Sequence, residues 1–350
     1  MRRITVDEQA RALADALAAR NDATDALSQD TFSAEYPDAP EWAIGPFEQD
    51  PELTFVLEGQ WDDPTGIGWT SDSIFNPSII EDGDDLVMFF RASPRKESMS
   101  SRIGMARHVS GEGWSASPFP VVHPTLDNEL WGCEDPKIYR AEGRYFLFYN
   151  GIYPITEDDR AAYPSTGYPV DTVGCDINLA VSDDLVTWHK VGPVMDHGIS
   201  RLWAKGAVIP RSADGSAVRI GGEYLMFVSE GCDGRPTVGR STDMVTWTFA
   251  EQPYLDLGQI DGRLHEVACA VVDDESSRML VLDFFYDDAE HRFAAAQALY
   301  SVDEPFLQLE LHRGGSLAWG GLIRRDGRWT FAQGWDAPRG TRTIYVYRER

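Results

Sequence analysis

The sequence predicts an all-β fold, a five-bladed β-propeller with a short helical N-terminal extension. Three observations carry that expectation. Apolar strands begin at Asn76, Asp135, Lys205, Glu266 and Trp319, spaced 53 to 70 residues apart. Each is followed by a turn and an aromatic strand. A "SxDxxxW" turn recurs, in "INLAVSDDLVTWHK" from Ile177 and "PTVGRSTDMVTWTF" from Pro236. Self-similarity at this period, with strands many and helices few, is the mark of radially repeated small sheets. A two-sheet sandwich would explain alternating strands equally well, but not five matching units.

Taken in order, residues 1–60 read as an extension with one amphipathic helix and a proline-rich stretch, and residues 61–350 as the propeller. The first unit runs from "NPSII" into "GDDLVMFFRA", and the second from "DPKIY" into "EGRYFLFYNG". The third pairs "KGAVIP" with "GGEYLMFVSEG", the fourth "EVACAVV" with "SSRMLVLDFFY", and the fifth "WGGLI" with "DGRWTFAQGW". The 31 glycines and 20 prolines suit the many tight turns this requires. In the "SxDxxxW" turns, the hydroxyl and carboxylate are expected to satisfy turn backbone while the tryptophan packs between blades.

A net charge of −26 argues against nucleic acid and anionic membrane surfaces as partners. No apolar run approaches the roughly 20 residues needed to span a bilayer, and the N-terminus lacks the apolar centre of a signal peptide. A cytoplasmic protein is expected. Cys133, Cys175, Cys232 and Cys269 are widely spaced, which favours buried thiols over a zinc or redox site. A homo-oligomer through the N-terminal helix is the protein partnership left open.

The inner strands of a propeller line its axis, so the five starting residues should ring one mouth of the channel. Carboxylates are costly to bury, yet "GCEDPKI" places Glu134 and Asp135 at a strand entering the core. A polar ring with two acids, a base and aromatic walls fits a sugar site. Glycosidic cleavage needs one carboxylic acid for the leaving oxygen and a second carboxylate to attack or to activate water. Asp135 and Glu266 are the expected pair, and Trp131, Trp203 and Trp319 are candidates to stack on sugar rings.

The segments "FNPSII", "LVMFFRA", "RIGMAR", "GCEDPKI", "GRYFLFYNG", "KGAVIP" and "GEYLMF" resemble glycoside hydrolase family 130, the β-mannoside phosphorylases and hydrolases. The likeness runs from about Ser73 to Trp247, with a more distant relation to the arabinan- and fructan-cleaving propellers. It implies that Asp135 is the catalytic acid. It also matches Asn76, Arg91 and Lys205 to family positions, with Lys137 in place of an arginine and Gly206 in place of an aspartate. The third aromatic strand ends Ser229-Glu230-Gly231, where the phosphorylases carry a His-Arg pair for phosphate.

The expectation is therefore a glycoside hydrolase acting on a short oligosaccharide, with Asp135 as acid and Glu266, or secondarily Glu230, activating water. Asn76, Arg91, Trp131, Lys137, Lys205, Arg263 and Trp319 would bind substrate. The alternatives are a β-mannoside phosphorylase and a non-catalytic carbohydrate-binding propeller. No organic cofactor or metal is implied, although the channel of such a fold leaves room for a structural ion.

Overall fold

The computed structural model describes residues 1–350 except 20–26, 34, 35, 37, 58–62, 96, 97, 273–277, 291 and 339. Five antiparallel sheets follow one another along the chain. Blade one is built from Ser73–Asp82, Asp85–Ser93, Arg102–Val109 and Gly113–Ala116. Blade two uses Gly132–Ala141, Arg144–Pro154, Val173–Ser182 and His189–Pro193. Blade three uses Ala204–Val208, Glu223–Gly231, Thr237–Ser241 and Thr248–Glu251, with Arg219–Ile220 added beside its second strand. Blade four comprises Gly262–Val272, Met279–Asp288, Phe293–Ser301 and Glu310–Arg313.

Blade five corrects the expected domain boundary. Its inner three strands are Ile323–Arg325, Arg328–Gln333 and Thr343–Glu349, and its outermost strand is Phe47–Val56. Phe47 pairs with Glu349 and Val56 with Thr343, so the N-terminal part of the chain completes the last sheet and closes the ring. The propeller thus begins before residue 61, and the boundary itself falls outside the described residues. A strand interrupted by Asp50-Pro51-Glu52 lacks simple alternation, which hid it from the sequence reading.

The core lies between neighbouring blades. Phe148, Leu179, Met226 and Trp247 pack where blade two meets blade three, and Phe227, Val267, Phe284 and Tyr300 where three meets four. The two "SxDxxxW" turns are superimposable in their bonding. Ser182 Oγ accepts from the Asp184 and Leu185 amides, and Asp184 Oδ1 from those of Val186 and Thr187. Ser241 and Asp243 repeat this pattern. Trp188 sits edge-on to Phe89 of blade one and Trp247 edge-on to Phe148 of blade two, so these turns serve packing between blades.

The helix Val6–Ala18 starts with a capping box in which Thr5 and Glu8 satisfy each other's backbone. The chain on either side of it is fastened to blades one and two: the Ile4 amide donates to Thr125 O and the Met99 amide to Ala19 O. Its buried residues are Ala12 and Ala16. All four cysteines are unpaired and buried.

Candidate active site

Asn76, Asp135, Lys205 and Glu266, inside the first four inner strands, and Trp319, in the turn before Ile323–Arg325, meet at one end of the axis. Asn76 Nδ2 donates to Asp135 Oδ1 at 2.7 Å, and Lys205 Nζ lies 2.7 Å from Asp135 Oδ2. Across the ring, Trp319 Nε1 donates to Glu266 Oε2 at 2.9 Å, and Lys137 Nζ lies 3.6 Å from Glu266 Oε1. Trp335 Nε1 donates to Asn76 Oδ1 and joins blade five to blade one.

The backbone shifts one sequence equivalence. Asn76 and Asp135 both have positive φ, +44° and +49°, where a bulge sets two inner-strand residues against one on the second strand. The blade-three residue with that conformation is Gly206, φ +64°, not Lys205. Asn, Asp and Gly are the residues that tolerate this region, so Asn-Pro, Asp-Pro and Gly-Ala mark the same place in three blades. Lys205 pairs with Glu230 as Glu134 pairs with Asn150, one residue earlier.

The opening carboxylates are held by a buried ion network. Arg91 donates to Glu134 Oε1 at 2.5 Å and to Asp135 Oδ1 at 3.2 Å, while its Nε donates to Ser101 Oγ. Lys205 Nζ reaches Glu134 Oε2 at 3.3 Å. Burial alone would raise the Asp135 carboxyl, but the Lys205 ammonium and Arg91 guanidinium, with hydrogen bonds from Lys205 and Asn76, hold it far below the usual carboxylate range. Glu266 is pushed the other way. Burial raises it, Lys137 opposes, and the nearby charges of Glu230 and Asp135 raise it further.

Lys137, expected to bind substrate, is only 6% exposed. It donates to the main-chain oxygens of Ala268 and Trp319, so it ties blades two, four and five together beneath the mouth. Burial lowers its pKa, with Glu266 opposing. Trp319 has one face stacked on Phe285, centroids 4.4 Å apart, which makes it floor rather than free wall. Trp131 lines a separate hollow of about 380 Å³ with Trp203 and Met99. Arg263 is exposed and lines a cavity of about 450 Å³ together with Glu230, Tyr168, His265 and Tyr254.

Glu230 is the carboxylate that this cavity reaches. Tyr168 Oη donates to its Oε1 at 2.7 Å and Trp203 Nε1 to the same atom at 3.1 Å. Its Oε2 makes no hydrogen bond among the described residues. Sequence reasoning missed Glu134, Trp335 and Tyr168 as site residues. Glu134 stood beside Asp135 in "CEDP" and Trp335 ended the fifth aromatic strand, so both had a signal. Tyr168 comes from a long connection and had none.

Residues 66–262 match the family model of glycoside hydrolase family 130, described as β-1,4-mannooligosaccharide phosphorylase. The chain belongs to glycoside hydrolase family 130. Two curated members resemble it, both from Thermoanaerobacter sp. (strain X514). A β-1,2-mannobiose phosphorylase is 28% identical over 95 residues, 24% of this chain and 32% of that protein. A 1,2-β-oligomannan phosphorylase is 27% identical over 133 residues, 37% and 40% respectively. The chain thus spans two fifths or less of these relatives' length in the matched regions.

Among solved structures, a glycosyl hydrolase from Bacteroides ovatus aligns with a TM-score of 0.65 at 20% identity, covering 89% of this chain and 95% of that one. A family 130 structure reported with glycoside hydrolases that target β-1,2 mannosidic linkages in Candida mannan gives 0.63 at 20%, covering 88% and 95%. The Listeria innocua β-1,2-mannobiose phosphorylase gives 0.60 at 14%, covering 86% and 96%. These likenesses establish the shared propeller.

Proposed function

We propose that this family 130 chain cleaves a short β-mannoside in the propeller mouth, with water as the acceptor. The observation that carries the choice of water is the state of the charges. Four carboxylates, Glu134, Asp135, Glu230 and Glu266, face two buried cations, Arg91 and Lys137, and the partly buried Lys205. Arg91 and Lys205 are paired with Glu134 and Asp135, and Lys137 with Glu266 and two carbonyls. A phosphate dianion needs converging donors of its own, and a carboxylate at about 4 Å would oppose it by about 4 kcal/mol at an effective dielectric of 20. Glu230 instead offers an unpartnered oxygen to the cavity, as a water-activating base requires.

Asp135 keeps the acid role implied by the family resemblance, with one condition. At rest it is ionised, so it takes up its proton in the loaded site, where sugar hydroxyls replace the Lys205 contact and deepen its burial. Glu266, pinned by Trp319 and Lys137, orients the floor of the site.

Phosphorolysis is the second reading, and the names of both curated relatives and of the family model favour it. Arg263 and His265 line the same cavity as Glu230 and are the groups that would hold phosphate. The test is a panel of β-linked manno-oligosaccharides incubated with and without phosphate. Free reducing sugar in phosphate-free buffer supports hydrolysis, strict phosphate dependence with a sugar 1-phosphate product supports phosphorolysis, and binding without turnover supports a non-catalytic propeller.

A further inference from the structure

The connection between the second and third strands of blade two, residues 155–172, leaves its own sheet and is fastened to blade three. One side chain of that blade anchors its tip. Asp233 Oδ1 accepts from Ser165 Oγ at 3.0 Å, the Thr166 amide at 2.5 Å and the Gly167 amide at 2.7 Å. These donors, first the Gly167 and Thr166 amides, hold the Asp233 carboxyl below its ordinary range. The segment presenting Asp233 is conformationally costly: Gly231, Cys232, Asp233 and Gly234 all have positive φ, and two of them carry side chains. The two backbones also meet closely, since a Cβ on Gly167 would stand 2.1 Å from Asp233 O.

The residue after this contact is Tyr168. Its ring lies 6.1 Å from that of Trp203, 26° from parallel, and its hydroxyl donates to Glu230 Oε1. Trp203 donates to the same oxygen. One oxygen of Glu230 is therefore occupied by two donors from different segments, which fixes the carboxylate and leaves Oε2 as its available atom.

We propose that Asp233 is a positioning residue: it latches the 155–172 connection onto blade three so that Tyr168, with Trp203, sets the orientation in which Glu230 meets the reacting water. This rests on the reading of Glu230 as the water-activating carboxylate. Asp233 touches no substrate. Its effect passes through Tyr168, and removing either residue releases the same constraint.

The experiment is a double-mutant cycle on the β-mannoside that the parent turns over fastest. Asp233→Ala and Tyr168→Phe are each expected to lower kcat about 10- to 100-fold with KM within about twofold, since small misplacements of reacting groups cost about this much. The double variant should be no slower than the slower single variant, because the two act in series. Asp233→Asn, whose amide oxygen still accepts the three donors, should restore most of kcat. Gly167→Ala, which wedges the same contact apart, should match Asp233→Ala and serves if that variant does not fold. Unchanged kcat in Asp233→Ala, or losses that multiply in the double variant, would overturn the proposal. An inactive parent would refute the proposed function instead. Hydrogen exchange then decides the latch, with faster exchange at Thr166 and Gly167 in Asp233→Asn than in Asp233→Ala contradicting it.

Discussion

Lys205 Nζ lies 2.7 Å from Asp135 Oδ2, joining the inner strand of blade three to that of blade two at the mouth of the funnel. The same ammonium reaches Glu134, so one lysine bridges the buried Glu134 and the partly buried Asp135. That contact makes Asp135 an ion in the resting site and gives the lysine a structural as well as a chemical role.

Replacing Lys205 with Met should destabilise the fold, by about 1–3 kcal/mol at pH 7, because Glu134 and Asp135 are then left to share one cation, Arg91. The sign of its pH dependence is fixed by Asp135, whose folded pKa lies below its ordinary value of 3.8. The pairing therefore stabilises above that ordinary value and fades as pH falls through the folded one. Urea unfolding of parent and variant should show a gap that is full at pH 7 and narrows below about pH 4. A constant gap would contradict the network.

The rate should depend differently on pH in free and loaded enzyme. kcat/KM reports the free enzyme, where Asp135 is held ionised, and kcat the complex. On raising the pH, kcat/KM should decline first and kcat should persist to higher pH. Coincident alkaline limbs would mean that substrate does not change the protonation of Asp135.

The Glu230→Gln variant should lose about 10²–10⁴-fold in kcat, the usual contribution of a general base. Glu266→Gln should cost less than about tenfold, since a glutamine oxygen can still accept from Trp319 Nε1. Steady-state kinetics of the two variants checks this, and a larger loss at Glu266 would return the water-activating role to it.

The Gly206→Ala variant should be destabilised by about 1–3 kcal/mol for its positive φ alone. Its added Cβ would also stand 2.5 Å from Ser229 Oγ and 2.8 Å from Glu266 Cγ, so Glu266 has to move. Thermal unfolding together with kcat measures both effects, and a variant with parental stability and rate would show that this backbone relaxes freely.

The blades were legible because each repeats the same grammar of apolar strand, turn and aromatic strand, which local residues encode. Asn76, Asp135 and Glu266 were legible as ring residues for the same reason. Gly206 was not, because its equivalence with Asn76 and Asp135 lies in φ and not in side-chain chemistry. Phe47–Val56 escaped because closing the ring pairs residues about 300 apart, and Tyr168 because a long connection crosses between blades. Lys137 looked like a ligand-binding cation, and only the packed fold reveals the two carbonyls that surround it.

The central claim is that Glu230 directs water, and not phosphate, to the anomeric carbon. Turnover of the best β-mannoside in ¹⁸O-labelled water, quenched early and analysed by mass spectrometry, tests it most directly. One ¹⁸O atom is expected at the anomeric carbon of the released sugar, at the same rate with or without phosphate. An unlabelled sugar 1-phosphate, formed only when phosphate is present, would contradict it.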